Sequence, residues 1–284
     1  MCSNIVSVVI PCYNCGATIL KTVDSVKCQS HPYVQIIIVD DGSSDPDTIT
    51  ILDDLTDVIL IRQQNIGLPA ARNAGIRWAG AGYILPLDAD DWLEPNAIEV
   101  LLAPFRADSF RSFTYSHIML EGELSGTLSK SYNFFEQLFS NQIPYSILMP
   151  YWLWLHAGGY DETMTSGYED WEFNIRLSAL GHFGVVIPEP LLHYRVSING
   201  MLISRSNQLH GVLWRYIQSK HKGLYSFSYL LSLWVYWRNY PSTYPLLLYI
   251  PWLLLHRILP DTFFSSIFRL IRSNSHSRRL PALS

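Results

Sequence analysis

Four short apolar runs, Ile5–Ile10, Val34–Val39, Val58–Ile61 and Tyr83–Leu87, recur through the first third of the chain, and three of them lead into polar or acidic residues. Runs of four to six residues with this composition read as strands buried in a sheet. Between them, Ala17–Cys28 places Ile19, Leu20, Val23 and Val26 at helical spacing, Thr48–Leu55 reads as a helix, and Leu68–Ala79 is an alanine-rich helix. Pro95–Leu102 reads as a further helix with proline in its first turn. Strands alternating with helices predict an α/β fold, a Rossmann-like α/β/α sandwich with a mostly parallel central sheet. Ligands of such sheets sit beyond the carboxyl ends of the strands. Those ends carry Pro11-Cys12-Tyr13-Asn14, Asp40-Asp41-Gly42-Ser43 and Asp88-Ala89-Asp90-Asp91, so three polar or acidic clusters are expected to converge on one crevice.

Beyond residue 110 the pattern is less regular. Ser112–Leu120 reads as an antiparallel strand, Phe134–Ser140 as a short helix, Glu169–Leu180 as a helix stopped by Gly181, and Val185–Ile187 as a strand. Charge divides the chain as well. Residues 1–223 hold 14 Lys and Arg against 23 Asp and Glu, a net −9, whereas 224–284 hold six Arg against Asp261 alone, a net +5. The acidic part argues against non-specific nucleic-acid binding, and the basic, aromatic end argues for an anionic partner, most simply a membrane surface. Its longest stretch without charge, Asn239–Leu255, has 17 residues and three prolines, short of the roughly 20 residues that a membrane span requires. Tyr225, Tyr229, Trp234, Tyr236, Trp237 and Trp252 are residues of interfacial type. Helices lying in the membrane interface are therefore expected, giving peripheral membrane contact through 224–279 at the cytoplasmic face, with a buried helical subdomain or a partner-binding surface as the alternative. The expected division is 1–205 as a catalytic domain and 206–284 as an aromatic and basic helical region.

Composition and cysteine usage narrow the class. At 49% hydrophobic and 15% charged residues, a disordered chain is excluded. Cys2, Cys12, Cys15 and Cys28 all lie near the N-terminus, and Met1 to Asn14 lacks the basic start and apolar stretch of a secretory leader, so none is expected. Cys12 and Cys15 form a C-x-x-C, but no second C-x-x-C or H-x-x-x-H completes a metal site. Reduced cysteines in a cytoplasmic protein are expected.

The acidic clusters carry the chemistry. Asp88-x-Asp90 sends two carboxylates to one side of an extended backbone, a set of hard oxygen ligands suited to Mg²⁺ or Mn²⁺ together with substrate phosphates. A turn rich in aspartate is the plain structural alternative. Asp40-Asp41 is poorly suited to a bare phosphate and better suited to a base or ribose. Neither G-x-G-x-x-G nor G-x-x-x-x-G-K-[ST] occurs, which removes support for dinucleotide binding and for P-loop phosphoryl transfer. What remains is a nucleotide bound through its base, its ribose and metal-bridged phosphates.

With Val6 to Asn14, Ile38 to Asp45, Asn65 to Leu68, Ala71-Arg72-Asn73, Leu87 to Asp91, Gly158 to Glu162, Glu169 to Glu172 and His193-Tyr194-Arg195 in this order, the chain resembles the family 2 glycosyltransferases of the GT-A fold over about residues 4–200. The resemblance implies an inverting transfer of sugar from a nucleotide-diphosphate sugar, a UDP-sugar by default, to a hydroxyl of a glycan or lipid-linked acceptor. It implies that Pro11, Tyr13, Asn14 and Asp41 line the base and ribose pocket and that Arg72 lies near the pyrophosphate. Asp88 and Asp90 would hold the metal, with Asp90 the more direct ligand and Asp91 a neighbour. Asp170 would be the general base, and Glu169 and Trp171 would frame the acceptor pocket. Many relatives have a His two residues after the Tyr-Arg pair, where this chain has Ser197; His193 is not counted as its replacement. Tyr194-Arg195 is kept as a loop contact to the diphosphate. Two other readings are weaker. A sugar nucleotidyltransferase would open with a Gly-rich loop where Pro11-Cys12-Tyr13-Asn14 stands, and a non-catalytic module is opposed by the intact Asp88, Asp90 and Asp170.

Overall fold

A computed structural model describes residues 4–80, 82–107, 112–197, 206 and 208–268. Cys2 and the basic residues Arg269, Arg272, Arg278 and Arg279 lie outside the described residues. The chain forms two compact units, one of Met1–Tyr132, Asn141–Thr165 and Glu169–Val196, the other of Asn133–Ser140, Ser166–Tyr168 and Ser197–Ser284.

The first unit is built on β1 (Val6–Cys12), α1 (Gly16–Lys27), β2 (Val34–Asp40), α2 (Pro46–Asp54), β3 (Ile59–Arg62), α3 (Leu68–Ala79) and β4 (Tyr83–Pro86). It continues with β5 (Trp92–Leu93), α4 (Ala97–Ala107), β6 (Phe113–Gly122) and β7 (Gly126–Leu128). Α four-residue helix of the second unit, α5 (Phe134–Gln137), precedes β8 (Met149–Pro150), α6 (Tyr151–Ala157), α7 (Glu169–Ala179) and β9 (Gly184–Val196). The central sheet has the order β3-β2-β1-β4-β8. Its first four strands are parallel and β8 joins antiparallel to β4. The alternating expectation therefore holds for this sheet.

Both faces of the sheet are covered, which is why its strands read as continuous apolar runs. Val8, Ile10, Ile36, Ile38 and Leu85 pack with Ile19 and Val23 of α1, Leu52 of α2 and Leu101 of α4. The alternate residues Val9, Ile37, Val39 and Ile84 pack with Ala71 and Ile76 of α3, Leu153 of α6 and Phe173 of α7. Full burial of each such side chain contributes roughly 1.5–3 kcal/mol. Local signals start the helices. Asp45 caps α2 by accepting the Thr48 N–H at 3.0 Å, with Pro46 in the first turn. Gly67, at φ 102°, turns the chain into α3, and Gly75 lets that helix lie against the sheet, because a Cβ there would meet Val9 Cγ1 at 2.5 Å.

Several elements depart from the sequence reading. A second, mixed sheet has the order β5-β9-β6-β7, and β6 pairs parallel with β9 while pairing antiparallel with β7. β9 runs for 13 residues, although the sequence suggested only Val185–Ile187. α4 continues to Ala107 with Pro104 inside it, and Pro95 falls outside the helix. β8 and α6 were not foreseen.

The second unit also holds α8 (His210–Lys220), α9 (Phe227–Trp237), α10 (Tyr249–Ile258) and a helix at 261–268, and the fully buried Trp214 of α8 stacks on His256 of α10 and Phe264 with ring centroids 4.5 and 5.8 Å apart. The buried Glu136 carboxylate accepts the Thr243 N–H at 3.0 Å and the Tyr249 hydroxyl. Asn133 caps α5 and donates to the carbonyls of Trp237 and Pro241 at 3.2 and 3.3 Å. Among the described residues no helix is long and apolar enough to cross a membrane.

Candidate active site

The site is assembled wholly within the first unit, at the carboxyl ends of β1, β2 and β4. The β1 and β2 ends are knitted by Asn14, whose backbone takes the left-handed conformation at φ 54°. Its Oδ1 accepts the N–H groups of Ser44 and Asp45 at 2.8 and 2.9 Å, and its own N–H donates to Ser43 Oγ at 3.0 Å. Pro11 is buried within β1 opposite Val39, and Tyr13 stands beyond it, 49% exposed. Asp41 turns toward the loop before α3. Its carboxylate accepts Gln63 Nε2 at 2.7 Å and the N–H groups of Ile66 and Gly67 at 3.0 and 2.9 Å. Asp40 accepts the Ser43 N–H at 2.9 Å and faces Arg62 Nε at 3.5 Å.

At the end of β4 the acidic residues are held individually. Asp88 pairs with Arg72 Nη2 at 2.6 Å. Asp91 is buried, accepting the Tyr145 hydroxyl at 2.5 Å and the Arg195 N–H at 2.8 Å. Burial, then the charges of Asp90 and Asp88, push the Asp91 carboxyl well up. Asp90, between them, is pushed up to about 6 by burial and by the neighbouring Asp88. A cation beside two crowded carboxylates would relieve that repulsion, so the donor chemistry of Asp88 and Asp90 fits a hard divalent ion. Among the described residues no cluster of three or more His, Cys, Asp or Glu is arranged to hold a metal. Two carboxylates completed by substrate phosphates is the usual magnesium arrangement and does not require such a cluster.

Arg72, carried on α3 and 1% exposed, joins this acidic end to the start of α7. Its Nη1 donates to Glu169 Oε1 at 2.5 Å while Nη2 holds Asp88. Its guanidinium lies 5.0 Å from the ring centre of Tyr145 and 5.7 Å from that of Tyr160. Burial works against its charge, but the charges of Asp88 and Glu169 outweigh it and keep the group well above the ordinary arginine value. Burial raises Glu169 to about 7 against the pull of Arg72. Asp170, next to it, is likewise raised by burial, opposed by Arg72 and by Asn141 Nδ2, which donates to it at 2.9 Å. Trp171 is 2% exposed.

His193 is occupied elsewhere. Its ring lies between Glu94 at 2.7 Å and Glu121 at 3.2 Å and stacks on Trp92 with centroids 5.1 Å apart. Tyr194 packs its ring 6.4 Å from that of Tyr145, and Arg195 reaches the acidic end through its backbone N–H. Three contributors were not found in the sequence: Gln63, Asn141 and Tyr145. None belongs to a motif, and Tyr145 meets Asp91 from 54 residues away.

Comparison with known proteins agrees with this architecture. The sequence profile described as Glycosyl transferase family 2 matches residues 7–158, more than half of the chain. The chain is 34% identical over 191 residues to a chondroitin synthase of Escherichia coli, covering 63% of this chain and 27% of that protein. It is 30% identical over 191 residues to a hyaluronan synthase of Pasteurella multocida, covering 63% of this chain and 19% of that protein. It thus spans about a quarter or less of the length of these relatives. Among solved structures, S. aureus TarS 1-349 in complex with UDP-GlcNAc superposes with a TM-score of 0.64 at 16% identity, covering 83% of this chain and 72% of that one. That likeness speaks for the fold, a GT-A-type α/β arrangement with mixed sheets. Profile, relatives and fold agree, and the chain belongs to glycosyl transferase family 2.

Proposed function

We propose that this chain is an inverting glycosyltransferase that moves a sugar from a nucleotide-diphosphate sugar, by default a UDP-sugar, to a hydroxyl of a glycan or lipid-linked acceptor. The observation that carries the reading is the Arg72 bridge, by which one buried guanidinium joins the Asp88–Asp91 turn to the Glu169-Asp170 pair. Tyr13, Asn14, Pro11 and Asp41 are assigned to the base and ribose, at the knitted ends of β1 and β2. Family relatives and the UDP-GlcNAc complex of the TarS neighbour support a nucleotide-sugar donor.

Asp90 and Asp88 would hold Mg²⁺ or Mn²⁺. The ion, when bound, supplies Lewis-acid stabilisation of the charge that builds on the departing diphosphate. Asp170 accepts the proton of the acceptor hydroxyl as that oxygen attacks the anomeric carbon. Its burial raises its proton affinity, which suits a general base, a contribution of about 10²- to 10⁴-fold. Glu169, neutralised against Arg72, and Trp171 shape the floor beneath the acceptor. Arg72 is assigned to the diphosphate side of the site, where it orients Asp88.

Turnover of UDP-sugars by purified protein tests the reading. Asp170→Asn is expected to lower kcat at least about 10²-fold, and Asp90→Ala to abolish the response to Mn²⁺. Unchanged turnover in both variants sinks the assignment.

We further propose peripheral contact of the second unit with the cytoplasmic face of a membrane. Phe227, Leu231 and Val235 form an exposed apolar strip on α9, and Leu247, Leu248, Leu254, Leu255 and Ile258 form another on and before α10. No Asp or Glu occurs from 224 to 260, while Arg238 and Arg257 do, a charge bias suited to anionic lipid.

A further inference from the structure

Tyr145 lies in an irregular segment, belongs to no motif, and is buried against the acidic end of β4. A phenylalanine would fill the same space, so what tyrosine adds is its hydroxyl. That group makes two bonds. It donates to Asp91 Oδ2 at 2.5 Å and accepts the N–H of Asp88 at 3.1 Å. Asp91 N–H in turn donates to Asp88 O at 3.1 Å, closing a turn, and Asp91 Oδ1 is fixed by the Arg195 N–H. One hydroxyl thus ties both ends of the turn, and Asp90 stands between the two anchored residues. The same ring also flanks Arg72, whose other contacts reach Asp88 and Glu169.

We propose that Tyr145 is a positioning residue, whose hydroxyl fixes the Asp88–Asp91 turn and so sets the direction of the Asp90 carboxylate toward the donor diphosphate and its cation. The proposal rests on the donor-site reading above. Tyr145 touches no reacting atom; it acts through the turn. A loose turn would still contain both carboxylates but would not hold them ready, and displacement of a ligand by a fraction of an ångström is enough to weaken a preorganised site.

A second buried tyrosine provides the control. Tyr115 is fully buried, and among the described residues its hydroxyl has no hydrogen-bond partner. Full-length wild type, Tyr145→Phe and Tyr115→Phe are compared by amide hydrogen exchange at 88–91, by Mn²⁺ affinity in the presence of UDP from the electron paramagnetic resonance of free Mn²⁺, and by kcat and donor KM. In Tyr145→Phe, exchange at 88–91 is expected to be about tenfold faster, Mn²⁺ about tenfold weaker, and kcat about tenfold lower with donor KM within about threefold of wild type. Tyr115→Phe should leave all three at wild-type values. Unchanged exchange at 88–91 in Tyr145→Phe overturns the proposal, as does an equal loss of kcat in Tyr115→Phe. If wild type binds no Mn²⁺ with UDP, the metal reading fails instead, and exchange and kcat still decide the role of Tyr145.

Discussion

Arg72 divides its two terminal nitrogens between Asp88 and Glu169, residues 16 and 97 positions away in the chain. Removing it leaves both carboxylates unpaired, Glu169 deeply buried. Arg72→Ala is expected to cost about 3–5 kcal/mol in urea denaturation, the usual penalty for breaking a buried pair. Arg72→Lys keeps one charge but cannot fork to both acids, so its loss should be smaller. The acids also make stability depend on pH. Asp90 rises from 3.8 to about 6 and Glu169 from 4.5 to about 7. The folded state then binds more protons than the unfolded state between about pH 4 and 7, so this contribution is fully present below pH 4 and is lost as pH rises through 6 to 7. Thermal melting without divalent cation should show that decline, and Asp90→Asn should flatten its part between pH 4 and 6. The D-x-D was legible in the sequence because its two acids are two residues apart and follow a buried strand. The Arg72 bridge and the Tyr145 bonds were not, because their partners come from distant segments and neither spacing forms a local pattern.

At the scale of elements, the parallel strands were legible for a physical reason: burial on both faces leaves no polar alternation, only continuous Val and Ile. β9 hid behind Pro188 and Pro190, which ordinarily break a strand. The structure accommodates them by register shifts, with Ser116 opposite Ile187, His117 opposite Pro190 and Ile118 opposite Leu192. β8, at two residues, is too short to produce any periodicity. The α3 contact with the sheet depends on Gly75. Gly75→Ala would drive a Cβ into Val9 Cγ1 at 2.5 Å and Val39 Cγ2 at 3.0 Å. It should destabilise by about 1–3 kcal/mol in denaturant titration despite alanine's better helix propensity.

At the scale of the whole molecule, the acidic segment 1–223 and the basic segment 224–284 differ in sequence charge, and most arginines of the latter, Arg269, Arg272, Arg278 and Arg279, lie outside the described residues. Helices apolar all round belong inside a protein core or in lipid, and α9 and α10 keep apolar strips exposed. In vesicle flotation the full chain should rise with vesicles containing phosphatidylglycerol more than with phosphatidylcholine alone. A Leu231→Ser, Val235→Ser, Ile258→Ser variant should rise less; equal flotation of the variant would remove these strips from the contact. The pairing of β6 with β9 has a kinetic consequence. It joins Phe113 to Gly184 and ends with Gly122 opposite Val196, so the second sheet closes only after some seventy intervening residues have been gathered. Contacts this far apart form slowly. Because the Arg195 N–H that anchors Asp91 arrives on that last strand, a refolding chain should regain its helical signal first and its affinity for nucleotide last.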